Sequence, residues 1–297
     1  MPRTITVIPD LHADPERLSA SLKTTKESRP AFLGDFIDAG HGTAHANDAA
    51  VLYVVRDLMS AGHADAVMGN HELNTILFHR RGTDGRPLRL HDGKNKRQHR
   101  SFLEQFGTGT PDALGWTDWF LTLPLWLDLG GLRLVHACWD QHAIDIIRLR
   151  RPDGRLQVED LPEVAEKSTP FARAVETLTS GTEIALPPGY EFRDSKKNKR
   201  HHVRMAWWRA GHGTWREAAP SVPDPTGLPE GLVDRVEGLP VYPEGSPPVL
   251  VGHYKMQGDL KIEAPHACCL AYPKNPCVYH WSGERELQLA NLQPCQL

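Results

Sequence analysis

The sequence has no run approaching 18 apolar residues, so no segment of it is long enough to span a membrane as a helix. It has little net charge: 34 Lys and Arg stand against 37 Asp and Glu, a formal −3. A general nucleic-acid coat needs a large positive excess, and that role is excluded. Cysteine is scarce, with five in 297 residues and no Cys-x-x-Cys pair. A zinc–thiolate centre therefore has no framework. The odd count, with Cys268, Cys269, Cys277 and Cys295 crowded toward the C-terminus, points to reduced thiols and a cytoplasmic protein. Residues 1–8 lack the long apolar stretch and small-residue cleavage site of a secretory signal, and none is expected. Internal repeats and low-complexity tracts are missing as well.

What is there is an ordinary globular composition, 40% hydrophobic and 24% charged. A chain of this length buries about 75% of its unfolded surface and needs no crosslink to fold. One count stands out, the 16 histidines. Histidine is the commonest metal ligand, so their positions matter.

The first 140 residues alternate in period. Thr4 to Ile8 is a β-branched run. Asp14 and Pro15 predict the start of a helix over 15–26, as N-cap and first helical residue. Ala31 to Leu33 predicts a second strand, 47–61 a second helix, and Ala64 to Met68 a third strand followed by another helix. Strand–loop–helix units of this kind indicate an α/β core with parallel strands. Helices are expected over 101–106 and 112–123, and a hairpin over 125–135 around Gly130 and Gly131. Residues 158–178 read as mostly helical. Val249 to Val251, Cys268 to Tyr272 and Val278 to Trp281 read as strands. The expectation is a single domain over 1–297 with insertions near 80–100 and 187–248. The second insertion, rich in Pro, Gly and Trp, reads as a cap over the site or as a surface insertion.

Five clusters of metal-capable residues each follow a strand. They are Asp10-Leu11-His12, Gly34-Asp35-Phe36-Ile37-Asp38, Gly69-Asn70-His71-Glu72, His136-Ala137 and Gly252-His253. Any one alone is weak, because Asp-x-His and Gly-His occur by chance. Together they place five sets of side chains at strand ends, where open α/β sheets bind ligands.

This ordered set resembles the calcineurin-like metallophosphoesterases, most closely the phosphoprotein-phosphatase-type branch, which includes bacterial protein phosphatases and symmetrical diadenosine tetraphosphate hydrolases. The resemblance implies an α/β/β/α sandwich of two mixed sheets. It implies two divalent or trivalent metal ions about 3.5–4 Å apart, which activate a shared water for in-line attack on phosphorus without a phosphoenzyme. Carried over motif by motif, Asp10, His12 and Asp35 would hold one ion, and Asp35, Asn70, His136 and His253 the other. Mixed oxygen and imidazole donors suit Mn, Fe or Zn, with manganese a natural assay ion. His71 would be the general acid, with Asp38 holding its tautomer. Glu72 reads as structural, at the start of the following helix.

Two positions depart from the family pattern. The Arg that usually follows the second Asp is Ala39 here, so the usual clamp on substrate phosphate is missing. Arg204 and Arg209, flanked by apolar residues, are the expected substitutes. The last motif ends Gly252-His253-Tyr254-Lys255 rather than Gly-His-x-His, which favours the phosphoprotein-phosphatase branch. Cys138 reads as a buried thiol rather than a nucleophile, and Trp207-Trp208 as core, with base stacking as the alternative. Asn95, Gln98 and His99 stand as minor candidates for lining the pocket. The leading expectation is a dimetal phosphomonoesterase acting on a phosphoprotein or nucleotide. A dinucleoside polyphosphate hydrolase is the alternative enzyme, and a catalytically dead phosphate-binding module the alternative from another class.

Overall fold

The computed structural model describes residues 4–25, 28–40, 43–194, 197–209, 213–233 and 242–297. Its strands are β1 (Ile5–Ile8), β2 (Arg29–Phe32), β3 (Asp65–Ala66), β4 (Trp126–Asp128), β5 (Arg133–Val135), β6 (Glu183–Ala185), β7 (Phe192–Arg193), β8 (Lys199–Arg200), β9 (His202–Arg204), β10 (Val249–Val251), β11 (Ala267–Cys269), β12 (Cys277–Trp281) and β13 (Leu292–Pro294). The first sheet has the order β13-β12-β1-β2-β3. Within it β1, β2 and β3 are parallel, and β12 is antiparallel to both of its neighbours. The second sheet has the order β11-β10-β5-β4, with β10 parallel to β11 and β5, and β4 antiparallel. Both sheets are mixed, and one hydrophobic core takes side chains from each, Val7, Phe32 and Tyr279 from the first and Leu134 and Leu250 from the second. This is the metallophosphoesterase sandwich that the sequence implied.

Parallel strands need crossovers, and helices supply them. Helix α1 (Pro15–Thr25) links β1 to β2, and α2 (Asp48–Ser60) links β2 to β3. The Asp14 carboxylate accepts the N–H groups of Glu16 and Arg17, which starts α1 with Pro15 in its first turn. Lys26, the last residue of the expected helix, lies outside the described residues. Asn47 and Ala61, the expected ends of the second helix, are the caps of α2. The Asn47 side chain accepts the Ala50 N–H, and Val51, Leu52 and Val55 form the buried stripe. Helix α3 (Asn70–His79) follows β3 directly.

The expected insertion at 80–100 contains a short helix, α4 (Gly93–Gln98), which runs on into α5 (Arg100–Phe106). Its backbone is pinned to α3: Leu88 N–H donates to Arg80 O and Arg89 N–H to Leu77 O, both at 3.0 Å. Helix α6 (Pro111–Leu121) then leads into the β4–β5 hairpin. Helix α7 (Gln141–Arg150), not anticipated from the sequence, starts at Asp140, whose side chain accepts from His142 and Ala143, and it buries Ala143, Ile144 and Ile147. The helical stretch expected over 158–178 is interrupted. It divides into a 3-10 turn (Val158–Asp160), α8 (Leu161–Glu166) and α9 (Pro170–Ser180). Lys167 takes a left-handed φ of 58°, and Thr169 caps a new helix begun by Pro170.

The 187–248 segment holds β7, β8, β9 and α10 (Trp215–Ala218). A small core of its own, including Leu186, Val203, Met205, Ala218 and Val222, lies under it. Trp207 and Trp208 leave that segment for the main core, where they are 1% and 8% exposed, so neither offers a face for stacking. Trp207 Nε1 donates to Ala137 O at 2.9 Å, which ties the segment to the end of β5. Trp207→Phe removes that donor and leaves a buried carbonyl unpaired. The expected loss is about 1–3 kcal/mol of unfolding free energy, read from urea denaturation.

Candidate metal centre

Each motif residue sits just past the C-terminal end of a core strand. Asp10 and His12 follow β1, Asp35 and Asp38 follow β2, and Asn70 and His71 open α3 after β3. His136 follows β5 and His253 follows β10, so the second sheet closes the site from its own strand ends. The turns are tight. His12, Asp35, Asp38 and His253 have φ of 49°, 52°, 63° and 65°, a left-handed region that residues other than glycine seldom use. Backbone bonds hold them there: Leu11 and His12 N–H both donate to Asp35 O at 2.9 Å, and His253 N–H donates to the Asp10 carboxylate at 3.0 Å. A Cβ on Gly252 would lie 2.1 Å from Asp10 Oδ1, so only glycine lets this loop approach.

Glu72 has a larger role than a helix-start charge. Its buried carboxylate accepts three N–H groups, those of Asp35 and Phe36 at 2.8 Å and that of Gly69 at 2.9 Å. It thus clamps the loop after β2 to the loop after β3. The two loops meet so closely that a Cβ on Gly34 would stand 2.4 Å from Gly69 N. Burial and the nearby Asp35 push the Glu72 carboxyl up to about 7, while the backbone donors oppose them.

The ligand atoms converge. His253 Nδ1 lies 2.7 Å from Asn70 Oδ1 and 3.2 Å from His136 Nε2. His136 Nε2 lies 3.1 Å from Asn70 Oδ1 and 3.4 Å from Asp35 Oδ2. His136 Nδ1 meets Leu33 O at 2.6 Å. A carbonyl only accepts, so Nδ1 carries the proton and Nε2 is left to face the cluster. Donors placed roughly 2.0–2.2 Å from one ion stand about 3 Å from each other, and these four have that spacing. Two imidazole nitrogens, an amide oxygen and a carboxylate oxygen form a donor set that a divalent cation fits.

The second group shares Asp35. His12 Nε2 is 4.0 Å from Asp35 Oδ2 and 3.9 Å from Asp10 Oδ2. His71 Nε2 also stands 3.9 Å from Asp35 Oδ2, so it approaches this group as closely as Asp10 does. Burial would push the Asp35 carboxyl up, but His136, His71 and His12 outweigh it and hold it well below the usual range. Burial lowers His136 and His71, but Asp35, together with Asp10 and the Leu33 carbonyl at His136 and with Asp38 and Glu72 at His71, outweighs it and raises both to about 9. A proton and a cation thus compete for the same nitrogen of His136.

His71 Nδ1 lies 2.7 Å from Asp38 Oδ2, which is the expected pairing. The expected substrate-binding arginines are placed differently from each other. Arg209 is ion-paired with Glu263, which is 2% exposed, and also donates to Glu217 O. Arg204 pairs with Glu183 at 2.7 Å, keeps a buried Nε without a partner, and acts on His253 through its charge. Arg89 was not anticipated. It donates to the neutral oxygens of Asn74 and Gln98 at 2.5 and 3.3 Å and has no carboxylate within 4 Å among the described residues. It lines a cavity of about 230 Å³ that begins at Asn70 and is walled by Leu73, Leu77 and Leu88. Nothing in the local sequence distinguishes Arg89 from its basic neighbours. Cys138 is fully buried, and burial holds its thiol well above the ordinary range, so it is no nucleophile.

Glu72→Gln retains one carboxylate-like oxygen but turns an amide N–H₂ toward the loop N–H groups. The expected outcome is about 1–3 kcal/mol of lost stability together with a lower Mn content per chain, measured by elemental analysis after dialysis against the metal.

The model of the calcineurin-like phosphoesterase family matches residues 3–175. No curated protein matches the chain in sequence. Among solved structures, a cold-active protein tyrosine phosphatase is 14% identical, with TM-score 0.50 over 99% of this chain and 79% of that one. A putative diadenosine tetraphosphatase is 12% identical, with TM-score 0.42 over 100% and 95%. A metallophosphoesterase from Sphaerobacter thermophilus is 21% identical, with TM-score 0.32, and the match spans 46% of this chain and 47% of that chain. The family match and the convergent donor set lead to one assignment: the chain belongs to the calcineurin-like phosphoesterase family, a family of metal-dependent hydrolases of phosphoric esters.

Proposed function

We propose that the chain is a dimetal phosphomonoesterase of the phosphoprotein-phosphatase type. The observation that carries this reading is the presence of two donor groups that share Asp35, one of them including His71, which also pairs with Asp38. Asp10, His12 and Asp35 are proposed as ligands of one ion, and Asp35, Asn70, His136 and His253 as ligands of the other. Two such cations, when bound, activate the attacking water and offset charge on the phosphoryl group. Mn, Fe and Zn all suit the donors. His71, protonated and held by Asp38, is proposed to give its proton to the departing alkoxide.

The cavity beside Asn70 is proposed to receive the leaving group. Its volume is about 230 Å³. Arg89, with no carboxylate within 4 Å among the described residues, is proposed to take the place of the cation missing at Ala39 and to bind the substrate phosphate. Arg204, acting on His253, is the second candidate, and it makes the 187–248 segment a cap in this reading. Arg209 is committed to Glu263 and stands behind both. The phosphate donor is proposed to be a phosphoprotein or a nucleotide monoester. Five buried cysteines, none of them disulfide-bonded, suit a reducing cytoplasm. No helix among the described residues is long and apolar enough to cross a membrane.

Two measurements test this. With Mn²⁺, p-nitrophenyl phosphate is expected to turn over faster than bis-p-nitrophenyl phosphate. Asp35→Asn is expected to remove at least about 100-fold of that rate. A preference for the diester overturns the monoesterase assignment. Arg89→Gln is expected to raise KM for the monoester, and the inhibition constant of inorganic phosphate, by about tenfold, the size of one charge-assisted contact. If both constants stay unchanged, Arg89 is not the clamp.

A further inference from the structure

Behind His71 a row of side chains runs away from the metal centre, and its protons can be assigned one after another. The Gly109 N–H donates to His79 Nδ1 at 3.0 Å. A nitrogen that accepts carries no proton, so neutral His79 holds its proton on Nε2. His79 Nε2 faces His99 Nε2 at 3.1 Å. His79 therefore donates there, His99 Nε2 accepts, and His99 carries its proton on Nδ1. That nitrogen meets Asp38 Oδ1 at 2.7 Å, while His71 Nδ1 meets Asp38 Oδ2 at 2.7 Å. A carboxylate only accepts, so His71 Nδ1 is protonated and His71 Nε2 is the nitrogen turned toward Asp35 and the site.

The row is built into the core rather than laid on the surface. His79 and His99 are 8% and 4% exposed. The His99 ring stacks on Phe102 at 4.7 Å and 18°, and Phe78 closes on both histidines. Asp38 is further fixed by its own N–H, which donates to Asp48 Oδ1 at 2.8 Å. Burial and the neighbouring His99 push His79 down to about 4, which keeps it neutral. Two imidazoles in an aromatic nest are costly unless hydrogen-bonded, and apolar side chains would fill the same volume more cheaply. Structure alone gives no reason for this choice, whereas orientation of Asp38 does.

We propose that His99 and His79 are positioning residues for the proton donor: the Gly109 amide, acting through them, fixes both the rotamer of Asp38 and the nitrogen that His71 presents to the leaving group. This rests on the reading of His71 as the general acid. It adds two residues, His99 in the 80–100 region and His79 at its border, that lie outside the two donor groups.

The test compares a poor leaving group with one that needs no proton. With Mn²⁺ bound, kcat and KM are measured for phenyl phosphate and for 2,4-dinitrophenyl phosphate. His71→Ala is expected to lower kcat far more for phenyl phosphate. If it lowers both equally, the general-acid reading fails and the positioning role goes with it. Given that discrimination, His99→Phe, which keeps the stack on Phe102, is expected to lower kcat about tenfold more for phenyl phosphate than for the dinitro ester, with KM changed less than about twofold. His99→Gln restores an N–H toward Asp38 and is expected to recover most of the loss. Equal falls on both esters, or none, overturn the proposal while leaving His71 in place. A second measurement needs no variant. Long-range ¹⁵N–¹H spectra of the wild-type protein are expected to show His99 protonated on Nδ1 and His79 on Nε2. The opposite tautomer at either residue overturns the chain of assignments.

Discussion

The Glu72 carboxylate is the interaction on which the site depends. One side chain, two residues past Asn70, satisfies the N–H groups of Asp35, Phe36 and Gly69. Without an acceptor, those three buried donors would have to find water or reorganise the loops. Because they share one carboxylate, the ends of β2 and β3 cannot move independently. Asp35, placed in the left-handed region by this clamp, then accepts the His71 N–H on Oδ1 at 3.0 Å and leaves Oδ2 toward the histidines. Backbone strain at four site residues is thus held by hydrogen bonds that a one-residue shift would break.

The second constraint is electrostatic. Asp10, Asp35, His136 and the side chains around them are buried in a pocket where lone pairs face one another at about 3 Å. Such a cluster is unfavourable by itself, because desolvation is offset only by protons or cations. The histidines take up protons beside Asp35, and this is why His136 and His71 rise. A metal ion resolves the same conflict with more charge at the same place. The fold therefore stores, in its strand-end loops, a geometry whose natural occupant is a cation.

The parts that surround this centre obey different rules. Other arginines are spent on structural partners, as Arg209 is on Glu263 and Arg204 on Glu183. Arg89 differs because its partners are neutral amides, so its charge remains available. The 80–100 region places both Arg89 and His99, although neither lies on a core strand. Its position is set by backbone bonds to α3 and by the stack of His99 on Phe102.

The sequence by itself determined the α/β class and the strand-end position of the candidate donor residues. Periodicity is local, and each candidate ligand stands one to four residues past the end of its strand, where glycine and turn chemistry make it visible. Caps such as Asp14 and Asn47 were legible for the same reason, since a cap bonds within its own turn. Tertiary structure decided what depends on separations of tens of residues. Glu72 reaches Asp35 across 37 positions, His99 reaches Asp38 across 61, and His253 reaches Asn70 across 183. Tertiary structure also decided which arginines are free, because the residues flanking Arg209 and Arg89 do not say what either guanidinium meets. Only packing shows that one of them faces a buried carboxylate and the other faces neutral amides. Hydrogen bonds and ion pairs act over a few ångströms in space, and sequence order does not record that distance.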